Sequence, residues 1–145
     1  MLPALDTHAL IESHYQDFLT DLAKSTFSGD IENSYGSRLA VSTDNSIYQN
    51  LPQAVVFPKN IEDLSLIGKT ANPYENVKFS ARGGGTGTNG QSLTSGIVVD
   101  VSRYMNQVLE VNAKENWARV QAGVVKDQLN DVLKPLGFFF APDLS

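Results

Sequence analysis

Six of the chain's eleven glycines fall within residues 83–96, and five of them stand in the nine-residue run Arg82-Gly83-Gly84-Gly85-Thr86-Gly87-Thr88-Asn89-Gly90. Each glycine adds conformational freedom that folding must remove, so such a run is costly as a mere connection. It persists where the backbone itself has to approach something closely. Without Cβ atoms in the way, successive amide N–H groups can converge into a concave nest, and nests bind anions such as phosphate oxygens. Thr86, Thr88 and Asn89 add short polar donors, and Arg82 is expected to supply a positive charge at the entrance. A flexible surface turn would need neither the threonines nor apolar strands close on both sides.

The surroundings of the run exclude the commonest phosphate binders. Gly85-x-Gly87-x-x-Gly90 matches the dinucleotide fingerprint letter by letter, but that fingerprint must open a helix whose N-terminus faces the pyrophosphate. Here residues 91–96 lead to another apolar strand, Ile97-Val98-Val99-Asp100. A P-loop fails because no Gly-Lys-Ser/Thr follows. A kinase glycine loop does lie between strands, yet neither Val-Ala-Ile-Lys nor His-Arg-Asp appears downstream. What survives is a phosphate-cradling loop between two strands.

The remaining chain reads as an α+β domain behind an N-terminal helix. Residues 6–26 form an amphipathic helix, capped by Asp6, with Ile11, Tyr15, Phe18, Leu22 and Ala23 on its inner face. Phe27-Ser28-Gly29-Asp30 ends it, and residues 33–50 are a polar, extended connection. Ala54-Val55-Val56-Phe57 is a buried strand stopped by Pro58. Asn60 caps a helix with Asp63 at the capping-box position and Leu64, Ile67 and Ala71 inward. Strands follow at 77–81 and 97–100, then a pair at 108–111 and 117–121. A helix over 124–133 turns Val125, Leu129, Val132 and Leu133 inward and closes at Pro135 and Gly137. Phe138-Phe139-Phe140 starts one more strand, and this run and Trp117 are expected in the core. The division is therefore 1–50, helix and connection, and 51–145, the α+β domain. Ending just after an apolar strand, at Pro142-Asp143-Leu144-Ser145, the chain is expected to be cut inside a longer domain.

Composition removes further classes. Cysteine is absent, which excludes a thiolate nucleophile and any Cys-ligated zinc or iron–sulfur site in these 145 residues. The net charge of −5 lies entirely in residues 1–50, and no basic stripe exists to follow a nucleic-acid backbone. No apolar run approaches the roughly 20 residues needed to span a bilayer. The stretch Met1-Leu2-Pro3-Ala4-Leu5-Asp6 lacks the features of a secretory signal, so a cytoplasmic location is expected. His8 and His14, six positions apart on the first helix, face different ways and read as surface residues. Asp100 and Arg103 are expected to fix a turn, as is Asp44 beside a packed Tyr48. No catalytic residue emerges.

The run from Arg82 to Gly90 resembles the pyrophosphate loop of the FAD-binding fold shared by vanillyl-alcohol oxidase and p-cresol methylhydroxylase. The similarity continues in order through residues 52–58, the stretch Gly96-Ile-Val-Val-Asp-Val-Ser-Arg-Tyr-Met-Asn106, Val120-Gln-Ala-Gly-Val124 with Leu129-Asn130, and Phe139-Phe-Ala-Pro-Asp143. Within that fold the chain is most similar to large bacterial FAD-linked 2-hydroxyacid dehydrogenases with a C-terminal iron–sulfur part, whose best-known activity is on D-2-hydroxyglutarate. Ser34-Tyr-Gly-Ser-Arg-Leu39 and Thr43-Asp-Asn-Ser-Ile-Tyr48 resemble that group too.

The resemblance implies the first part of a PCMH-type FAD-binding domain, with small mixed β-sheets flanked by helices. It implies FAD held by Arg82, Gly83, Gly84, Gly85, Thr86, Gly87, Thr88, Asn89 and Gly90, with Pro142 and Ser145 bordering the flavin. Relatives that bond flavin covalently often have a histidine in or near this loop. None follows His14 here, so the implied FAD is noncovalent. The substrate-binding half and the cluster cysteines would lie beyond Ser145, leaving this piece inactive alone. A non-catalytic nucleotide-binding module and an FAD-dependent reductase of cell-wall precursors, which would bind NADPH, remain as alternatives.

Overall fold

The computed structural model of the chain describes residues 10–142. In order they form α1 (Ser13–Lys24), β1 (Asp30–Glu32), α2 (Tyr35–Ala40), β2 (Ala54–Phe57), α3 (Ile61–Ala71), β3 (Phe79–Arg82), β4 (Ile97–Asp100), β5 (Val108–Asn112), β6 (Trp117–Val120) and α4 (Lys126–Leu133), with a 3-10 turn at Lys134–Leu136. A four-stranded sheet has the order β1-β2-β4-β3, and β5 and β6 form a separate antiparallel pair. β1 runs antiparallel to β2, while β4 is parallel to both β2 and β3.

β2 and β4 are central and buried at every position, which is why they read as unbroken apolar runs. Their side chains alternate between two cores. Ala54, Val56, Ile97 and Val99 meet Ile67 of α3 and Tyr15, Phe18, Leu19 and Leu22 of α1. Val55, Phe57 and Val98 face the other way, onto Val41 and Tyr104. The α1 residues recur at three- and four-residue spacing, so one helical stripe covers one sheet face. Residues before and after position 51 thus share a core.

The ends of the first helix differ from the sequence expectation. It starts at Ser13 with Glu12 as N-cap and no side-chain cap, Ala23 is exposed, and Asp6 and His8 lie outside the described residues. The Glu12 amide instead donates to Gln53 Oε1 at 2.9 Å, a tertiary contact that no local pattern announces. The connection over 33–50 is not wholly extended, because it holds α2, capped by Ser34, whose Oγ accepts from the Ser37 amide. Six residues are too few to display a helical period. Val125 and Val132 are exposed rather than inward, and only Leu129 and Leu133 of α4 are buried. Phe138, Phe139 and Phe140 form no strand and stay exposed. Asn130 holds that segment through Phe140, accepting from its amide at 2.7 Å and donating to its carbonyl at 3.4 Å. Trp117 is half-buried, at the rim of an apolar cavity of about 740 Å³ between β5, β6, α4 and the phenylalanine run.

Asp63 shows how the start of α3 is fixed. Asn60 Oδ1 caps the Asp63 amide at 2.8 Å, as the sequence predicts, but the reciprocal half of the capping box is not made, because the Asp63 side chain turns to Ser28 and Lys59 instead of the Asn60 amide. The Asp63 carboxylate is 1% exposed and accepts from the amides of Ser28 and Lys59, both at 2.8 Å, and from Ser28 Oγ at 2.9 Å. Burial alone would raise its pKa, but these three donors and the Lys59 charge outweigh burial and hold it below the ordinary value. The stabilisation is complete above the unfolded pKa of about 3.9 and disappears as pH falls through the lower folded value. Asp63→Asn should cost about 1.5–3 kcal/mol at neutral pH, since an amide cannot accept from all three donors. Urea titrations across acidic pH should show the variant losing less further stability than the parent. An equal acid loss in both would remove Asp63 as the source.

Candidate functional site

β3 and β4 are parallel neighbours, yet the chain between them, residues 83–96, contains no helix. The glycine run leaves the C-terminal end of β3, and the return is tied to the sheet by the Ile97 amide on Lys78 O at 2.8 Å. Ser80 Oγ donates to the Gln91 carbonyl at 3.1 Å, holding the loop's return path against β3. Gly85 and Gly90 have φ of +67° and +74°, the left-handed region that glycine occupies without strain. The loop's shape therefore depends on residue type at these two positions.

Ala81, Gly83, Gly84, Gly85, Thr86, Gly87, Thr88, Gln91 and Ser92 line an open groove of about 520 Å³. Among the described residues, none of the amides of residues 83–88 donates to a protein acceptor, in contrast to Asn89, whose amide donates to Gln91 Oε1 at 3.0 Å. Consecutive backbone donors without protein partners, along a concave and mostly glycine wall, suit an anion with several oxygens. Thr86 and Thr88 line the same groove. The residues fit a pyrophosphate.

Two expected site residues sit differently. Arg82 does not line the groove. Its Nη1 lies behind the loop, 3.0 Å from Thr43 O, 3.4 Å from Ser92 Oγ and 3.5 Å from Val41 O. A Cβ built on Gly85 would collide with the Arg82 guanidinium, so the loop packs directly on it. Pro142 is exposed and does not line the groove either, while Ser145 lies outside the described residues. Asn89 and Gly90 belong to the loop but stand off the groove wall.

Sequence reasoning gave no site role to the strap at residues 41–48. Beyond the Arg82 contacts, the Tyr48 ring borders Gly90, with Cδ2 3.1 Å from where a Cβ would lie. Asp44 accepts from the Ser46 amide at 2.8 Å, the expected turn, and its other oxygen accepts from Ser92 Oγ at 3.3 Å. Hydrogen bonds from Ser46 and Ser92 and the Arg82 charge hold the Asp44 carboxyl below its usual range. Tyr48 is exposed at 58% rather than packed into a core. Elsewhere, Asp100 fixes its turn by accepting from the Ser102 amide and hydroxyl, but Arg103 pairs with Asp30 instead, at 3.3 Å. His14 lies 3.7 Å from Glu12 at the surface. Among the described residues no group of three or more His, Cys, Asp or Glu could hold a metal, and no helix is long and apolar enough to cross a membrane.

This fold is that of a flavin-binding protein class, and the FAD binding domain family matches residues 52–145. The chain belongs to that family. It is 55% identical over 147 aligned residues to the D-2-hydroxyglutarate dehydrogenase of Haemophilus influenzae, an alignment that takes in 100% of this chain and 14% of that protein. Among solved structures, an alkyldihydroxyacetonephosphate synthase superposes with a TM-score of 0.73 at 23% identity, covering 93% of this chain and 28% of its own. p-Cresol methylhydroxylase superposes with a TM-score of 0.68 at 12% identity, over 88% of this chain and 26% of its own. The fold is thus the PCMH type that the sequence resembles. The strap at 41–48 precedes the region the family covers.

If the loop backbone is the binding surface, forcing a side chain into it should do more harm than deleting one donor. Gly85→Val meets both a positive φ and the Arg82 guanidinium, and should abolish FAD retention. Thr88→Ala removes one bond to an anion and should weaken FAD about tenfold to a hundredfold. Titration of the folded apo variants by flavin fluorescence checks the order, which is wrong if Gly85→Val binds as well as Thr88→Ala.

Proposed function

We propose that this chain is the first part of the FAD-binding domain of a dehydrogenase acting on a D-2-hydroxyacid, with D-2-hydroxyglutarate the leading substrate. The run of unpartnered amides at residues 83–88 carries the cofactor half of this reading. Identity of 55% to a protein named for that substrate supports the other half. Residues 51–145 are the cofactor-binding region, and α1, in the segment before them, covers one face of its sheet.

The work assigned to these residues is binding and orientation. The amides of residues 83–88 hold the pyrophosphate oxygens, and Thr86 and Thr88 add hydroxyl donors. Glycines at 85 and 90 let the backbone come close, and the sheet keeps the loop in place. Pro142 and Ser145 border the flavin. FAD, when bound, supplies the acceptor for the hydride equivalent leaving the alcohol carbon. The attachment is noncovalent, a reading supported by the absence of histidine from the loop and from residues 91–145. An iron–sulfur part would take its ligands from outside these cysteine-free residues, the substrate-binding half is assigned there as well, and the protein is assigned to the cytoplasm.

The full-length protein should purify yellow and release its flavin on acid denaturation. D-2-Hydroxyglutarate should bleach that flavin anaerobically, while the 145-residue piece alone should turn over no 2-hydroxyacid. Flavin that stays on the denatured chain would overturn noncovalent attachment. Bleaching by NADPH and not by 2-hydroxyacids would assign the protein to the reductases instead, and FAD binding without bleaching by either would make it a non-catalytic module.

A further inference from the structure

We propose that Arg82 is a positioning residue of the flavin site, locking the strap at residues 41–44 to the back of the glycine loop. Residues preceding the FAD-binding family's match thereby become part of the cofactor site. The inference rests on the flavin reading above and concerns what gives the loop its shape.

An arginine at the head of an anion-binding loop would ordinarily be read as a ligand of the anion. Its geometry here is that of a brace. The guanidinium is absent from the groove wall and reaches two strap carbonyls and one loop hydroxyl, at Thr43, Val41 and Ser92. Gly85, at positive φ, rests against the same guanidinium, so the turn of the loop takes its form from the arginine beneath it. Ser92 relays the contact to Asp44, whose carboxylate also caps the strap's own turn at Ser46. One nitrogen, Nη1, thus faces all three acceptors, the shortest contact being 3.0 Å to Thr43 O, while the flat remainder of the guanidinium lies under Gly85, a surface that a lysine ammonium does not offer. A second contact, Tyr48 against Gly90, ties the strap to the far end of the loop.

The consequence is a coupling between strap and groove. Order imposed on the loop by a bound pyrophosphate reaches residues 41–46, which do not line the groove themselves, through Arg82 and through the Ser92–Asp44 bond that Arg82 holds in place. Loss of the arginine must loosen strap and loop together, with the buried sheet unaffected.

The test uses the full-length protein as apo parent, Arg82→Ala, Arg82→Lys and Ser92→Ala, with FAD as the probe. Flavin fluorescence gives the affinity, hydrogen exchange read by mass spectrometry gives local order, and circular dichroism reports folding. Arg82→Ala and Arg82→Lys should both weaken FAD by about tenfold or more, with faster exchange at 41–46 and 83–92 and unchanged protection of β4. FAD should slow exchange at 41–46 in the parent and not in Arg82→Ala. Parent-like affinity of Arg82→Lys would make Arg82 a charge acting on the phosphate and overturn the brace. FAD protection of 41–46 surviving in Arg82→Ala would overturn it equally. Should Arg82→Ala not fold, Ser92→Ala decides, since it keeps the cation and removes the link to Asp44. Faster exchange at 41–46 supports the brace, and parent-like exchange there sinks it. A parent that binds no FAD overturns the flavin reading and this inference with it, whereas the other adverse results overturn the brace alone.

Discussion

Parallel pairing of β3 with β4 is the constraint on which the site depends. Adjacent parallel strands require the chain to travel back along the sheet, and a crossover helix usually makes that journey. Here residues 83–96 make it as a loop. Both ends are fixed by one ladder, with Phe79 opposite Ile97 and Arg82 opposite Asp100. β4 in turn is locked between β3 and β2, every residue of β2 and β4 being buried. The loop cannot shift at its roots without disturbing both cores. Glycine gives the segment its shape, and the sheet supplies the stiffness that glycine lacks. A backbone binding surface needs both, because donors that are free to wander lose in entropy what they gain in contact.

Electrostatics around the loop follow the same division between front and back. The groove wall carries amides and hydroxyls with no formal charge. Behind it stand a cation, Arg82, and a carboxylate, Asp44, each in contact with Ser92 Oγ. Fixed dipoles aimed at an anion need no counter-ion beside them. A bare carboxylate one layer behind would oppose that anion, and Arg82 balances it there. The cation thus stands off the groove wall except at Ser92, packs under Gly85 and offsets the Asp44 charge.

What the sequence disclosed and what it withheld divide along local and tertiary lines. The apolar runs of β2 and β4, the Asn60 cap of α3 and the pairing of β5 with β6 were legible because each is written in neighbouring residues. The glycine run was legible for the same reason, down to its strand-loop-strand setting. The phenylalanines at 138–140 misled because apolar character reports an affinity for burial and not a partner that provides it. In the structure they edge a cavity, and an asparagine on α4 holds their backbone where strand pairing was expected. Val125 and Val132 misled in the same way, since a short helix between a loop and a 3-10 turn buries only its narrowest stripe. Arg82 is the most instructive case. Its place in the run suggests a ligand, whereas its Nη1 meets strap carbonyls and Ser92, a direction that its own dihedral angles set and that the letters around it do not announce. Its acceptors lie about forty residues upstream, in a segment with no regular pattern at all. A side chain whose partners are that remote has no signature in the letters around it. Its role is set by the parallel sheet, which brings residue 82 back against residues 41–44 and leaves the face of the loop to the backbone.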